Sequence, residues 1–175
     1  MHLFTIGYSK KTAEEFFDIL RDNDIKQVVD IRRHNSNQLA GFTKQSDLPW
    51  FLDTIAGIGY THELALAPSE DLMHAYRKEG LPFEEFAKKL RAEFDERAMP
   101  KLADASVLLC SEPDPDVCHR SVAADYLPSR TAMSRSCTFK RPLDDEPMPP
   151  PGPTPQRPPS RCLCRTYPRC PARRR

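Results

Sequence analysis

The first 127 residues alternate between short apolar runs and longer amphipathic stretches, a pattern typical of α/β folds. Each apolar run is short enough for a strand and is followed by glycine, charged or turn-forming residues. The runs predict strands at residues 2–6, 27–32 and 107–110, and residues 60–63 form a plausible short strand between them. Because helical patterns separate them, these strands should pair in parallel, through right-handed crossovers.

The amphipathic stretches predict helices that begin near Thr12, Ser46, Ser69, Pro82 and Asp114. Thr12 and Glu15 have the spacing of a capping box, in which each side chain bonds the backbone of the other residue. After Pro82, apolar side chains recur at helical spacing and give that helix one face toward a core. The sequence therefore predicts a single α/β domain over residues 1–127, with a mostly parallel central sheet and helices on both faces.

Reactive side chains are concentrated where the last predicted strand passes into the last predicted helix. Asp114 suits an N-cap and Pro115 suits the first helical position, where a missing N–H costs nothing. This assignment places Cys118, His119 and Arg120 in or just after the first helical turn. Unpaired backbone N–H groups and the positive end of the helix dipole favour an anion or a thiolate there.

The carboxyl ends of parallel strands lie at one edge of a sheet, where ligands of such folds bind. Three strand ends should converge on that edge, namely residues 7–9, 30–32 and 110–112. The sequence therefore predicts one polar site built from distant parts of the chain.

Five motifs occur in order along the same region: TIGYS, VVDIR, LAGFTK, LALAPSEDLMHAY, and LLCSE followed by CHR. In these motifs the chain resembles the bacterial domain-of-unknown-function 488 family, over residues 1 to about 127. The resemblance implies a small cytosolic α/β domain, and a final strand after the CHR helix. It implies little about activity.

Composition narrows the class of protein further. Residues 1–127 hold 15 lysines and arginines against 22 acidic residues, a net charge of −7, so their overall charge gives no reason to expect nucleic acid. No run of about 18 apolar residues could cross a membrane, and the N-terminus lacks the features of a signal peptide. A cytoplasmic protein is expected, in which Cys110 and Cys118 stay reduced.

The chain changes character after Leu127. Residues 128–175 hold 12 of the 18 prolines, ten arginines against one lysine, and no isoleucine or valine. Such a segment cannot bury a core, so we expect a disordered Pro/Arg/Cys-rich tail. Either a frameshift in a GC-rich gene or a genuine interaction tail would explain this composition, and the latter could bind nucleic acid.

The two cysteines of the body allow two interpretations. As a catalytic group, Cys118 would be a thiolate nucleophile or redox thiol beside His119 and Arg120, and Cys110 would resolve its oxidised form. Glu112 or Asp30 would then transfer the proton. Both cysteines could equally be inert buried thiols.

Sulfur transfer and phosphatase-like chemistry belong to the same enzyme hypothesis. A strand, a cysteine-containing loop and a helix with arginine loosely resemble the loop of rhodanese-like sulfurtransferases and cysteine phosphatases. The eight-residue spacing from Cys110 to Cys118 departs from that loop, and the acidic residues between them would repel phosphate.

Arg32 and Arg120 could hold one anionic ligand together, with hydroxyl groups from Tyr8 and Ser9. The structural alternatives are that Asp30 pairs with Arg32 to order the strand end, and that Tyr8 and Ser9 cap the turn. The sequence leaves these alternatives open.

A metal site is a further possibility. Cys110, Cys118 and His119 could supply three ligands to zinc or iron, with a fourth from His34, His62 or Asp30. The tight CxxC knuckle common in zinc sites is absent, so no cofactor is predicted.

Together these patterns favour a binding module for a small anionic ligand, a nucleotide or nucleic acid at the strand carboxyl ends. The alternative is a cysteine-dependent enzyme with Cys118 as nucleophile. The sequence does not determine whether the protein is an enzyme or which oligomeric state it adopts.

Overall fold

The computed structural model describes residues 2–127 and 137–138, and the strands within these ranges form one parallel sheet. The strands are β1 Leu3–Gly7, β2 Gln27–Asp30, β3 Gly59–His62, β4 Ser106–Cys110 and β5 Cys137–Thr138. Their order across the sheet is β3-β2-β4-β1-β5, and every pairing is parallel. The predicted parallel α/β architecture is confirmed.

Five α-helices connect or follow these strands in the described residues: α1 Ala13–Asp22, α2 Leu48–Ala56, α3 Glu70–Lys78, α4 Phe83–Asp95 and α5 His119–Tyr126. Two 3-10 helices, Gln38–Thr43 and Leu64–Leu66, lie after β2 and β3. The Thr12 hydroxyl accepts from the Glu15 N–H, and the Glu15 carboxylate accepts from the Thr12 N–H. The predicted capping box of α1 is therefore present.

Adjacent strand residues point to opposite faces of the sheet and enter two separate cores. Val28 and Leu109 pack with apolar residues of α1 and α2, including Phe16. Val29 and Leu108 pack with apolar residues of α3, α4 and α5. Because both faces are covered, the central strand β4 is buried along its whole length, whereas the edge strand β3 is only half buried.

The strand register aligns the carboxyl ends that should form the site. Asp30 lies opposite Leu109 of β4 and His62 of β3, and Gly7 lies opposite Cys110. The residues that follow these strand ends therefore meet at one edge of the sheet.

The predicted disordered tail, residues 128–175, lies almost entirely outside the residues that the structure describes. Within that segment the structure describes only β5, in which Cys137 and Thr138 pair with Phe4 and Thr5. The residue pattern did not predict this strand, because two residues are too few to form a recognisable apolar run. Among the described helices, none is both long enough and apolar enough to cross a membrane.

Candidate functional site

Cys110, Cys118 and His119 form a buried cluster at the end of β4, which we call the thiol–imidazole cluster. The Cys118 thiol donates a hydrogen bond to the Cys110 sulfur, with 3.2 Å between the two Sγ atoms. Nδ1 of His119 lies 3.6 Å from Sγ of Cys110 and 3.9 Å from Sγ of Cys118. The other ring nitrogen, Nε2, lies 3.1 Å from the backbone oxygen of Ile31 and anchors the ring to β2.

The local chain path that builds this cluster differs from the prediction. Helix α5 begins at His119 with Cys118 at its N-cap, so the prediction that Asp114 caps the helix is wrong. The Asp114 carboxylate instead accepts from the Asp116 N–H at 3.0 Å and stabilises a turn. The turn folds Cys118 back onto Cys110.

The cluster has an asymmetric charge distribution. The pKa of Cys110 is well below the ordinary thiol value, because the Cys118 S–H donates to it and His119 adds positive charge, both against the effect of burial. The pKa of Cys118 is raised by its hydrogen bond to Cys110, by burial and by the Cys110 charge. Burial opposes charge on His119, but the neighbouring Cys110 raises its pKa overall.

These directions reverse the expectation for Cys118. A helix N-terminus, His119 and Arg120 were expected to make Cys118 the thiolate, yet proximity to Cys110 outweighs them. The lowered pKa of Cys110 and the raised pKa of Cys118 favour Cys110 as the thiolate of the pair. Sequence spacing could not show this, because the two sulfur atoms approach each other only through the turn.

Asp30 and Arg32 form a buried ion pair at the end of β2, as one of the sequence-based alternatives stated. Nε and a terminal nitrogen of Arg32 donate to the two carboxylate oxygens of Asp30 at 2.8 and 2.7 Å. Asn35 and Tyr60 donate to the same carboxylate, at 3.0 and 2.8 Å. Thr43 accepts from Arg32 through its hydroxyl and its carbonyl.

This arrangement, which we call the Asp30 network, shifts the pKa values of Asp30 and Tyr60 in opposite directions. Burial by itself would raise the pKa of Asp30, but the hydrogen bonds and charge of Arg32 lower it below its ordinary value. Burial and the adjacent Asp30 carboxylate raise the pKa of Tyr60. The guanidinium of Arg32 also lies 5.1 Å from the centre of the Tyr8 ring.

Arg120 is directed into the protein. Its terminal nitrogens donate to the backbone oxygens of Glu112 and of Pro113, the latter at 2.9 Å, and the side chain is 1% exposed. A Cβ atom at Gly7 would collide with the Glu112 carbonyl and approach this guanidinium at 2.9 Å. Gly7 therefore lets β1 lie against the loop that Arg120 holds.

A cleft of about 380 Å³ opens at the strand carboxyl ends, and we call it the strand-end cleft. Five of the site residues predicted from sequence line this cleft together: Tyr8, Ser9, Arg32, Glu112 and His119. Cys110, Cys118, Asp30 and Arg120 do not line it. The cysteines instead lie behind His119, and Cys118 lines a smaller adjoining cavity of about 160 Å³.

Sequence reasoning missed the contribution of two arginines and of helix α3. Arg33 and Arg77 line the strand-end cleft, and Nε of Arg33 donates to the Pro68 carbonyl at 2.8 Å. Arg77 pairs with Glu112 at 3.0 Å. Tyr76 donates to the Val117 carbonyl at 3.0 Å, so the end of α3 supports the loop between Cys110 and Cys118.

The proposed fourth metal ligands lie outside the thiol–imidazole cluster. Nε2 of His62 contacts the Arg32 carbonyl at 2.7 Å, His34 lies 3.9 Å from Glu70, and Asp30 is held by its own network. Among the described residues, the group with metal-ligand geometry consists of Cys110, Cys118 and His119, which could hold a metal ion.

The fold and this edge define a parallel α/β domain with a cysteine–histidine cluster beside a cleft that three arginines line. The model of the family described as "Domain of unknown function DUF488" matches residues 12–127, which is more than half of the chain. The chain belongs to the DUF488 family, as its motifs indicated. No curated protein and no solved structure matches it.

Proposed function

We propose that the domain binds a small anionic ligand, of the size of a nucleotide or of a nucleic-acid end, in the strand-end cleft. The observation that carries this proposal is the cleft's composition. Arginines and hydrogen-bond donors from the segments after β1 and β2, from α3 and from α5 surround a volume of about 380 Å³, within the range of ligand pockets.

Arg33 and Arg77 are better suited to the ligand than the arginines chosen from sequence. Arg32 and Arg120 are almost fully buried and hold protein groups. Arg33 is positioned through Nε, which leaves its planar terminal group suited to bidentate recognition of a carboxylate or phosphate. Arg77 is half exposed and could exchange Glu112 for an anion.

Calorimetric titration of the full-length protein with nucleoside monophosphates and the matching nucleosides tests the proposal. We expect the monophosphates to bind and the nucleosides to bind far more weakly. Arg33→Gln should weaken monophosphate binding about 10- to 100-fold, since a charged hydrogen bond contributes about 1.5–3 kcal/mol. Arg91→Gln, at an exposed site on α4, is the matched control.

Short oligonucleotides with and without a 5′-phosphate separate the two ligand sources. Tighter binding of the phosphorylated oligonucleotide than of any mononucleotide would identify a nucleic-acid end as the ligand. Equal binding with and without phosphate, or binding that Arg33→Gln leaves unchanged, contradicts the proposal and assigns the affinity to another surface such as the arginine-rich tail.

A second candidate function, cysteine-dependent redox chemistry, is favoured by the 3.2 Å separation of the two sulfur atoms. In this scheme the Cys110 thiolate attacks the terminal oxygen of a hydroperoxide, the O–O bond breaks, and the alcohol leaves with a proton from Cys118 or His119. The Cys118 sulfur then attacks the sulfenic acid on Cys110 and expels water. Two thiols become one disulfide while the hydroperoxide is reduced to alcohol and water.

Treatment with an alkyl hydroperoxide followed by peptide mass spectrometry tests this order of events. The unmodified chain should yield a Cys110–Cys118 disulfide, and Cys118→Ser should accumulate a sulfenic acid on Cys110 that dimedone traps. Trapping on Cys118 in the Cys110→Ser variant would restore Cys118 as the nucleophile. The absence of any disulfide would leave the thiols structural.

A further inference from the structure

We propose that Cys110, Cys118 and His119 bind one Zn²⁺ ion, with a fourth coordination position open to the cavity beside Cys118. This inference concerns a different ligand from the anion of the strand-end cleft and holds whichever anion that cleft accepts. Four observations support it: the spacing of the donor atoms, the tautomer of His119, the charge and burial of the cluster, and the adjoining cavity.

The spacing of the donor atoms is close to that of a tetrahedral zinc site. With Zn–S bonds of about 2.3 Å and Zn–N bonds of about 2.0–2.1 Å, a sulfur and a nitrogen ligand lie about 3.6 Å apart. Nδ1 of His119 lies 3.6 and 3.9 Å from the two sulfur atoms. The 3.2 Å between the sulfur atoms has to open by about 0.5 Å, which small side-chain rotations supply.

The hydrogen bond on the far side of His119 sets the tautomer that a metal ligand needs. A carbonyl oxygen only accepts, so Nε2 carries the hydrogen that bonds Ile31. In a neutral ring Nδ1 then presents its lone pair to the two sulfur atoms. A backbone carbonyl behind the ligating histidine is the usual second partner in zinc sites.

Charge and burial are compatible with the ion. Cys110 and Cys118 are each 1% exposed and His119 is 6% exposed, so an unbalanced charge there would be costly. Two thiolates and a neutral imidazole around a divalent cation carry no net charge. A soft sulfur pair with one imidazole also suits zinc better than magnesium or calcium.

A cavity adjoins two of the three proposed ligands. Cys118 and His119 both line the cavity of about 160 Å³, and Tyr76, Arg77 and Glu112 also belong to its lining. Three protein ligands with a solvent-accessible fourth position are the arrangement of catalytic zinc sites, whereas structural sites have four protein ligands. A water or the Glu112 carboxylate could complete the coordination.

Cobalt spectroscopy tests the site in the full-length chain. Four other cysteines could compete for metal, so the reference protein replaces Cys137, Cys162, Cys164 and Cys170 with serine. It should bind one equivalent of Co²⁺, with thiolate-to-cobalt charge-transfer bands and tetrahedral d–d bands, and Zn²⁺ should displace the cobalt.

In that background Cys110→Ser and Cys118→Ser should each weaken Co²⁺ binding more than about 100-fold, because loss of second-shell partners alone costs 10- to 100-fold. His119→Gln should weaken it as well and shift the d–d bands. His74→Gln is the matched control, since its ring is exposed on α3 and pairs with Glu79. The control should leave the spectrum unchanged.

A measurement without ligand variants covers the case in which a serine variant does not fold. Zn²⁺ should slow alkylation of Cys110 and Cys118 by iodoacetamide in the reference protein, read peptide by peptide. Unchanged alkylation with Zn²⁺, absence of thiolate charge-transfer bands, or bands that survive both serine variants in folded protein would each overturn the proposal.

Discussion

The Asp30 network and the thiol–imidazole cluster lie at the same edge of the sheet, yet they use their hydrogen-bonding capacity in opposite ways. Both Asp30 oxygens accept from protein donors, and both terminal nitrogens of Arg32 have protein acceptors. In the cluster, the sulfur atoms contact one another and one imidazole nitrogen. Sulfur is a weak hydrogen-bonding partner, so these contacts are easily exchanged.

The difference indicates which buried polar group supports the fold and which is available for chemistry. A charged pair whose carboxylate is fully occupied by protein donors is costly to disturb, because loss of one partner leaves the other charge buried. A pair of thiols remains available for reaction, because it can lose protons, form a disulfide bond or bind a cation. Burial alone would not separate the two, since both are almost fully enclosed.

The largest effect should come from breaking the Asp30 network. Asp30→Ala leaves the buried Arg32 charge without its partner, and loss of one member of such a pair costs about 3–5 kcal/mol. Urea denaturation measures the change in unfolding free energy, with Asp53→Ala at an exposed site of α2 as control. A loss below about 1 kcal/mol, typical of a surface pair, would remove the structural role given to this network.

A smaller effect is expected in the thiol–imidazole cluster. Cys110→Ala removes one small buried side chain and should lower the unfolding free energy by about 1–2 kcal/mol, in the range of ordinary point variants. The same denaturation experiment, made without added metal, gives the comparison directly. A loss equal to that of Asp30→Ala would mean that the cluster also holds the fold together.

The smallest effect is expected from mild acid. The folded-state pKa of Asp30 lies below its ordinary 3.8, so its stabilising contribution is fully present above that value and is lost as the pH falls through the lower folded-state pKa. The difference in unfolding free energy between the unmodified chain and Asp30→Ala should therefore stay constant from about pH 7 to pH 5. It should shrink only below about pH 4. A decline already at pH 6 would point to a histidine instead.

Much of the fold followed from local pattern. Apolar runs located β1, β2 and β4, and the Thr12–Glu15 spacing located α1, because strand burial and helix capping depend on residues close together in sequence. The start of α5 did not follow, since the Cys118 side chain makes no capping hydrogen bond, whereas Asp114 is a preferred N-cap residue. The turn at Asp114 and the contact with Cys110 decide between them.

The site was only partly predictable for a similar reason. Topology alone brought the three strand ends together, so Cys110, Cys118 and His119 could be named from sequence. The partners that define their states come from far away: Tyr60 binds Asp30 across 30 positions, and Ile31 holds His119 across 88. Contacts between residues so far apart in sequence produce no periodic pattern from which they could be predicted.

The peptide unit between Ile31 and Arg32 belongs to both clusters at once. Its carbonyl accepts from His119, and its N–H donates to Asp30 at 3.1 Å. Hydrogen bonds at the two ends of one peptide polarise each other. A change in the charge of the imidazole should therefore change the electron density at the Arg32 amide proton. The NMR resonance of the Arg32 amide is therefore a built-in reporter, which should move whenever the sulfur atoms are oxidised, alkylated or bound to metal.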